Sequence, residues 1–257
     1  MISAPTVLVT NDDGIGAAFF QNLVRACVKQ GFHVWVAAPS GERSWIGRAF
    51  SRHREVTVSA YPNCGHEAWS IDGTPSDCVN IALGNLLKKK PDVVLSGMNI
   101  GFNATMPLCL SSGTLAGATE GCAWGLPAVA CSFDLDKSVF EIVHRNPSIC
   151  PSSIQPHLDA ACNHAAAFAK SIVGKPVTGL HVHSLNYPSK VTAETKVKKT
   201  IPAIVRHGSL FKPSAFGYSF AWSDGEVISA GKDTDLSAIE EGLISHTVFD
   251  FGQVSRL

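Results

Sequence analysis

The chain has 257 residues, 45% hydrophobic and 16% charged, with Lys+Arg and Asp+Glu both at 21 and a formal net charge of +0. A typical soluble domain is roughly 25% charged, so this composition excludes a disordered chain, and the balance of sign excludes a general electrostatic binder of nucleic acid or acidic membrane. No apolar run approaches the ~20 residues that span a bilayer, and the first residues carry neither the basic start nor the long apolar stretch of a signal peptide.

Thr6–Thr10 is a continuous apolar run, as expected of a strand buried on both faces, and Asn11–Asp12–Asp13–Gly14 ends it. A helical pattern runs from Ala17 to Gln30 through Phe20, Leu23, Val24, Cys27 and Val28, with Gly31 as its stop. Val34–Ala37 reads as the second strand. Thr74 as N-cap, Pro75 at the first helical position and Asp77 three residues after the cap open another helix. It continues through Val79, Ile81, Ala82 and Leu86–Leu87 to Lys88–Lys90, whose cations suit the negative helix end. Asp92–Leu95 is a further buried strand that Ser96–Asn99 breaks. Thr114–Ala123 reads as a helix and Pro127–Cys131 as the next strand. This alternation implies a mostly parallel, doubly wound α/β sheet.

Beyond residue 135 the pattern weakens. Pro151–Pro156 reads as a linker, His157–Lys170 as a helix and Leu180–His183 as a strand. Lys190–Thr200 is polar and basic, a hairpin arm or exposed loop. Asp233–Thr234–Asp235 precedes a short helix at Leu236–Glu241 and a strand over Ile244–Phe249. The cysteines (Cys27, Cys64, Cys78, Cys109, Cys122, Cys131, Cys150 and Cys162) are scattered with no CxxC pair, which points to small buried residues in a reducing, cytoplasmic compartment.

Ligands of open α/β sheets bind outside the carboxyl ends of the strands, where strand order reverses. Three polar clusters fall at such ends: Asn11–Asp12–Asp13, the loop Pro39–Gly47 with Ser44, and Ser96–Asn99 with Asn103. Adjacent carboxylates repel one another in a dry pocket unless a cation sits between them, and an all-oxygen set suits hard Mg²⁺ or Mn²⁺. The same tetrapeptide also reads as a turn with Asx capping of the next helix. Ser111–Ser112–Gly113–Thr114 precedes a helix, which makes either a phosphate site or an ordinary N-cap. A metal-type and an anion-type site together favour a phosphoester.

Other groups have plainer readings. Arg43, Arg48, Arg52 and Arg54 are either a phosphate-attracting stretch or a solvated surface. His181 and His183 share a strand face without carboxylates or cysteines nearby in sequence, and Asp77 is a helix cap. Neither a Walker A motif nor GxGxxG occurs, and no G-x-S-x-G elbow follows a strand.

Val9–Thr10–Asn11–Asp12–Asp13–Gly14–Ile15, Ala38–Pro39…Arg43–Ser44, Gly73–Thr74–Pro75–Ser76–Asp77, Ser96–Gly97–Met98–Asn99…Asn103 and Ser112–Gly113–Thr114…Glu120–Gly121 occur in that order. Together they resemble the motifs of the SurE (survival protein) family of metal-dependent 5′/3′-nucleotidases. The resemblance covers residues 6 to about 134 and returns at Asp233–Thr234–Asp235. It implies that Asp12, Asp13, Ser44 and Asn99 bind one Mg²⁺ or Mn²⁺, and that Asn103, Ser112, Gly113 and Thr114 hold the phosphate. Asp12 and Asp13 would be catalytic. Whether the metal activates the water, or Asp12 acts as base or as nucleophile, stays open.

The resemblance further implies one domain over residues 1–257. Its Rossmann-like core over 1–135 carries the site, and residues 136–257 add the remaining core and a C-terminal hairpin and helix extension used in oligomerisation. The implied substrate is a nucleoside monophosphate, with no duplex nucleic acid or membrane as partner, in a homodimer or homotetramer. Three departures stand out: Trp45 follows Ser44 where a small residue is usual, the stretch 104–111 is altered, and Gly16–Ala17–Ala18 replaces the usual His-Ala-Pro. They motivate a second reading, a nucleotide- or phosphate-binding module that keeps the metal while catalysis is weak or lost. A nucleotide-sugar transferase lacks a recognisable donor-sugar site.

Overall fold

The computed structural model describes residues 4–62, 65–175, 179–229 and 231–253; Cys64 lies outside them. The first half of the chain forms β1 (Thr6–Thr10), α1 (Ala18–Lys29), β2 (His33–Pro39), β3 (Val58–Ala60), β4 (Glu67–Ile71), α2 (Pro75–Ile81) and β5 (Val93–Ile100). It continues with α3 (Met106–Ser111), α4 (Gly113–Ala123) and β6 (Ala128–Phe133). The second half forms α5 (Lys137–Arg145), α6 (Gln155–Ile172), β7 (His181–Tyr187), β8 (Val197–Thr200) and β9 (Ile204–Arg206). After these come β10 (Phe211–Ser214), β11 (Gly217–Phe220), β12 (Glu226–Ser229), α7 (Asp235–Glu240) and β13 (Ile244–Asp250).

The central sheet runs β3-β4-β2-β1-β5-β6-β7-β13-β8. Every pairing from β4 to β7 is parallel, and antiparallel partners flank that block on both sides. The expected mostly parallel α/β architecture is therefore present. Side chains alternate along a strand, and in β1 both faces are covered. Val7 and Val9 pack with Phe20, Leu23 and Cys27 of α1 and Leu158 and Ala165 of α6, whereas Leu8 faces Cys78 and Val79 of α2. That explains a run with no polar interruption.

The α2 start is built as expected: Thr74 accepts from Asp77 N–H, and the Asp77 carboxylate returns the bond to Thr74 N–H. Four expectations need correction. The helix that Thr74 opens does not reach Lys88–Lys90: α2 ends at Ile81, a π-helical turn follows over Ala82–Leu86, and Leu87 is extended. Ser96–Asn99 does not end β5, which runs on to Ile100 with a register shift against β6 between Ser96 and Asn99. Gly97 is needed there for close approach, since a Cβ would stand 2.2 Å from Cys131 O. Of Lys190–Thr200, residues 190–196 form the mostly exposed loop, whereas Val197–Thr200 is neither loop nor arm and joins the sheet parallel to β13. The hairpins lie further on, β10 against β11 and β9 against β12. The Pro151–Pro156 segment is shorter than a linker, since Gln155 and Pro156 already belong to α6.

Among the described cysteines, Cys27, Cys78, Cys109, Cys122, Cys131 and Cys162 are buried free thiols and Cys150 is half-buried. Burial pushes the Cys27 thiol up to about 12. Among the described residues no helix is long and apolar enough to cross a membrane.

Helix α4 lies against β1 and β5 along glycines four residues apart. A Cβ at Gly113 would stand 2.7 Å from Asp12 Cβ, at Gly117 2.8 Å from Thr10 Cγ2, and at Gly121 2.6 Å from Val94 Cβ. Helix propensity by itself favours Ala over Gly by about 1 kcal/mol. Overpacking against a strand costs typically 1–3 kcal/mol, so Gly121→Ala is expected to lower stability by about 1–2 kcal/mol in a urea melt.

His183 Nδ1 lies 3.0 Å from His246 Nε2, with the Phe168 ring edge-on to both, while His181 turns to Asp250. Burial, and then the neighbouring His183, pull His246 down to about 4. The unfolded chain then binds more protons between about pH 4 and 6.5, so stability falls as pH drops through that window. The melting temperature should fall on acidification from pH 7 to pH 4.5, and less steeply in His246→Gln.

Candidate active site

Strand β1 lies between β2 and β5, so the connections from it reverse direction there and open a crevice at its carboxyl end. Asn11–Asp12–Asp13 leaves β1 into that crevice, and Asn99 is the penultimate residue of β5. The glycine contacts of α4 bring its first turn down onto both.

Thr114 Oγ1 stands 2.5 Å from Asp12 Oδ1 and 3.0 Å from Asn99 Oδ1. The Asn99 amide is oriented by its nitrogen, which donates to Gly101 O at 2.7 Å and Ile100 O at 3.3 Å. A hydroxyl carries one proton, so it serves only one of the two oxygens facing it. Asp13 Oδ2 accepts from Ile100 N–H at 3.1 Å, and Asn11 Oδ1 is buried with no donor. Burial raises Asp12 to about 6 against the opposing pull of the Thr114 hydroxyl. Asp13 is pushed well above the carboxylate range by burial and then by Asp12, and Glu42 adds to both.

Among the described residues no basic side chain pairs with either carboxylate: Arg43 and Arg54 bind Asp72, and Arg48 binds Glu120. The arginine stretch is therefore largely spent on internal ion pairs. Among the described residues no three His, Cys, Asp or Glu side chains gather as a metal group. The set here is two carboxylates with amide and hydroxyl oxygens. Converging oxygens without a countercharge fit a hard divalent cation.

Ser44 is carried close to this cluster by its neighbour. Arg43 N–H donates to Asp12 O at 2.7 Å, and a Cβ at Gly113 would lie 3.0 Å from Arg43 O. The turn is pressed on the same loop, with a Cβ at Gly14 3.1 Å from Gly41 Cα. Ser112 caps α4, its hydroxyl accepting from Leu115 N–H at 3.0 Å. Asn103 stands one strand over: its Nδ2 donates to Ser132 Oγ at 2.9 Å, and Ser132 is the β6 register partner of Asn99. Asp12, Asp13, Asn99, Gly113 and Thr114 are thus brought together, Ser44 and Ser112 border them, and Asn103 backs the crevice. The Thr114 hydroxyl faces the acidic cluster.

Ser132 and Asn186 escape the motif reading, and Glu120 and Asp235 stand within its motifs without a site role. Ser132 and Asn186 are buried polar residues at the carboxyl ends of β6 and β7, and Asn186 Oδ1 accepts from Asn103 N–H at 2.8 Å. The strand-end rule, applied to β6 and β7, is the signal that finds them. Buried Glu120 joins Arg48, Asn80 and Trp124. Thr234 of the Asp233–Thr234–Asp235 segment caps α7, and Asp235 in the first turn accepts from Thr105 N–H and Ala203 N–H, each at 2.8 Å.

A family model described as "Survival protein SurE" matches residues 7–208. A 5′-nucleotidase SurE of Maridesulfovibrio salexigens is 32% identical over 257 residues, covering 97% of this chain and 94% of the relative. That of Nitratidesulfovibrio vulgaris is 33% identical over 254 residues, covering 95% and 87%. Among solved structures, the crystal structure of the SurE protein from Aquifex aeolicus superposes with a TM-score of 0.72 at 25% identity, covering 96% of this chain and 93% of that one.

If the oxygen cluster takes a divalent cation, Mn²⁺ at a hundred times its Kd should add about 2.7 kcal/mol to stability. The gain is expected as a raised melting temperature in wild type, and its loss in the double variant Asp12→Asn, Asp13→Asn.

Proposed function

The chain belongs to the SurE family, and from that premise we propose that it hydrolyses phosphomonoesters of the nucleoside monophosphate class with one divalent cation, Mg²⁺ or Mn²⁺. The observation that carries this reading is the convergence of Asp12 Oδ1 and Asn99 Oδ1 on one Thr114 hydroxyl, beside Asp13, at the strand-order reversal.

Asp12, Asp13, Asn99 and Ser44 would hold the cation, which when bound neutralises phosphate charge and activates water. The Thr114 hydroxyl orients Asp12 through Oδ1. Asp12 Oδ2, which faces Gly113, accepts the proton of the attacking water. The Gly113 N–H, Ser112 and Asn103 bind the remaining phosphate oxygens and oppose the charge that develops on them. The phosphorus–oxygen bond to the nucleoside breaks, the leaving oxygen takes a proton from solvent, Asp12 releases its own to solvent, and nucleoside and inorganic phosphate depart. Asn186 positions Asn103, and Asp235 the Thr105 backbone beyond it, without touching substrate.

We read the chain as one domain, with the site on residues 1–135. Exposed Ile204, Phe211, Phe216 and Tyr218 on the C-terminal hairpins support a homodimer or homotetramer, and the free thiols support a cytoplasmic setting.

Phosphate release from AMP should require Mg²⁺ or Mn²⁺ and stop with chelator. Asp12→Asn is expected to lower kcat by about a hundred- to ten-thousandfold. Near-normal turnover in that variant sinks the role given to Asp12, and nucleotide binding without release in wild type sinks the hydrolase reading.

A further inference from the structure

The loop that follows Ser44 is anchored on both sides to segments of the candidate site, with Trp45 midway between the anchors. On one side Arg43 N–H donates to Asp12 O at 2.7 Å; on the other, Gly47 N–H donates to Ser111 O at 2.9 Å. Trp45 is two residues from each anchor, and at ~3.8 Å per residue its backbone stays on the rim of the proposed phosphate site. Its φ is +59°, a conformation that bulky side chains rarely adopt.

The rings it meets come from the other end of the chain. The Phe220 centroid lies 5.2 Å and the Trp222 centroid 5.7 Å from Trp45, tilted at 55° and 56°. Phe220 ends β11, and His207 stands 5.2 Å behind Trp222. Trp45, Phe220 and Trp222 keep 45%, 49% and 44% of their surface exposed. The trio is therefore uncharged and only partly occupied by mutual contact, with ring surface left open beside the crevice.

We propose that Trp45, with Phe220 and Trp222, forms a stacking platform for the leaving group, selecting phosphomonoesters whose leaving group is a planar aromatic nucleoside. The proposal rests on the phosphomonoesterase reading and adds to it the residues that choose the substrate. Stacking tolerates any nucleobase because every base offers a π-face. The platform thus discriminates nucleosides from aliphatic alcohols and hardly among the bases. Phosphate is held at the start of α4 and by Asn103, the base from the rim, and the C-terminal segment supplies two of the three rings.

The test uses the full chain with Mn²⁺ and compares AMP with glycerol 2-phosphate. Trp45→Ala is expected to lower the ratio of kcat/KM for AMP to that for glycerol 2-phosphate about ten- to thirtyfold, chiefly through KM, and Trp45→Phe to restore most of it. A ratio equal to that of wild type overturns the platform. Adenosine, which carries no phosphate and needs no turnover, should quench the intrinsic fluorescence of wild type and lose that effect in Trp45→Ala. Equal quenching in both also overturns it. Should wild type hydrolyse neither ester, the hydrolase reading fails, and the adenosine titration decides the platform by itself.

Discussion

The close approach of α4 to β1 and β5 is the constraint on which the crevice depends. Gly113, Gly117 and Gly121 remove side chains where Asp12, Thr10 and Val94 stand, and a Cβ at any of the three would come within 2.8 Å of another atom. Without that approach Thr114 could not reach Asp12 and Asn99 together. The positive end of the helix then lies over a carboxylate, which offsets part of its charge.

The offset is incomplete, and that imbalance gives the site its chemistry. Buried Asp12 and half-buried Asp13 are adjacent in sequence, their basic neighbours are committed elsewhere, and desolvation raises both above the carboxylate range. Burying unpaired charge is costly, so the arrangement persists either by holding a proton or by accepting a cation. A phosphate ester increases the negative charge, which makes the cation more valuable with substrate present than without it. The same oxygens thus disfavour an empty site and favour a loaded one.

The second half of the chain is tied into this crevice. Asn186 of β7 holds the Asn103 backbone, and Asp235 at the start of α7 holds Thr105 and Ala203. Phe220 and Trp222 reach the loop beside Ser44. Residues more than a hundred positions apart therefore shape one rim, and the altered stretch 104–111, which forms α3 from Met106 onward, follows the tie at Asn103 and contains the one at Thr105.

The amino-acid sequence by itself determined the elements whose signal is local. Buried parallel strands show as unbroken apolar runs, as in Thr6–Thr10, and the α2 start shows as Thr74–Pro75–Ser76–Asp77 because a capping box is complete within four residues. The motif order also marked Asp12, Asp13 and Asn99 as one group. Only tertiary structure decided that Ser96–Asn99 continues a strand, because the cue is the space beside Cys131 rather than the glycine itself. It likewise decided which segments form the hairpins, and that Ser132 and Asn186 both meet Asn103. Those assignments depend on contacts between distant segments, and a periodicity within one segment carries no information about which remote segment will lie against it.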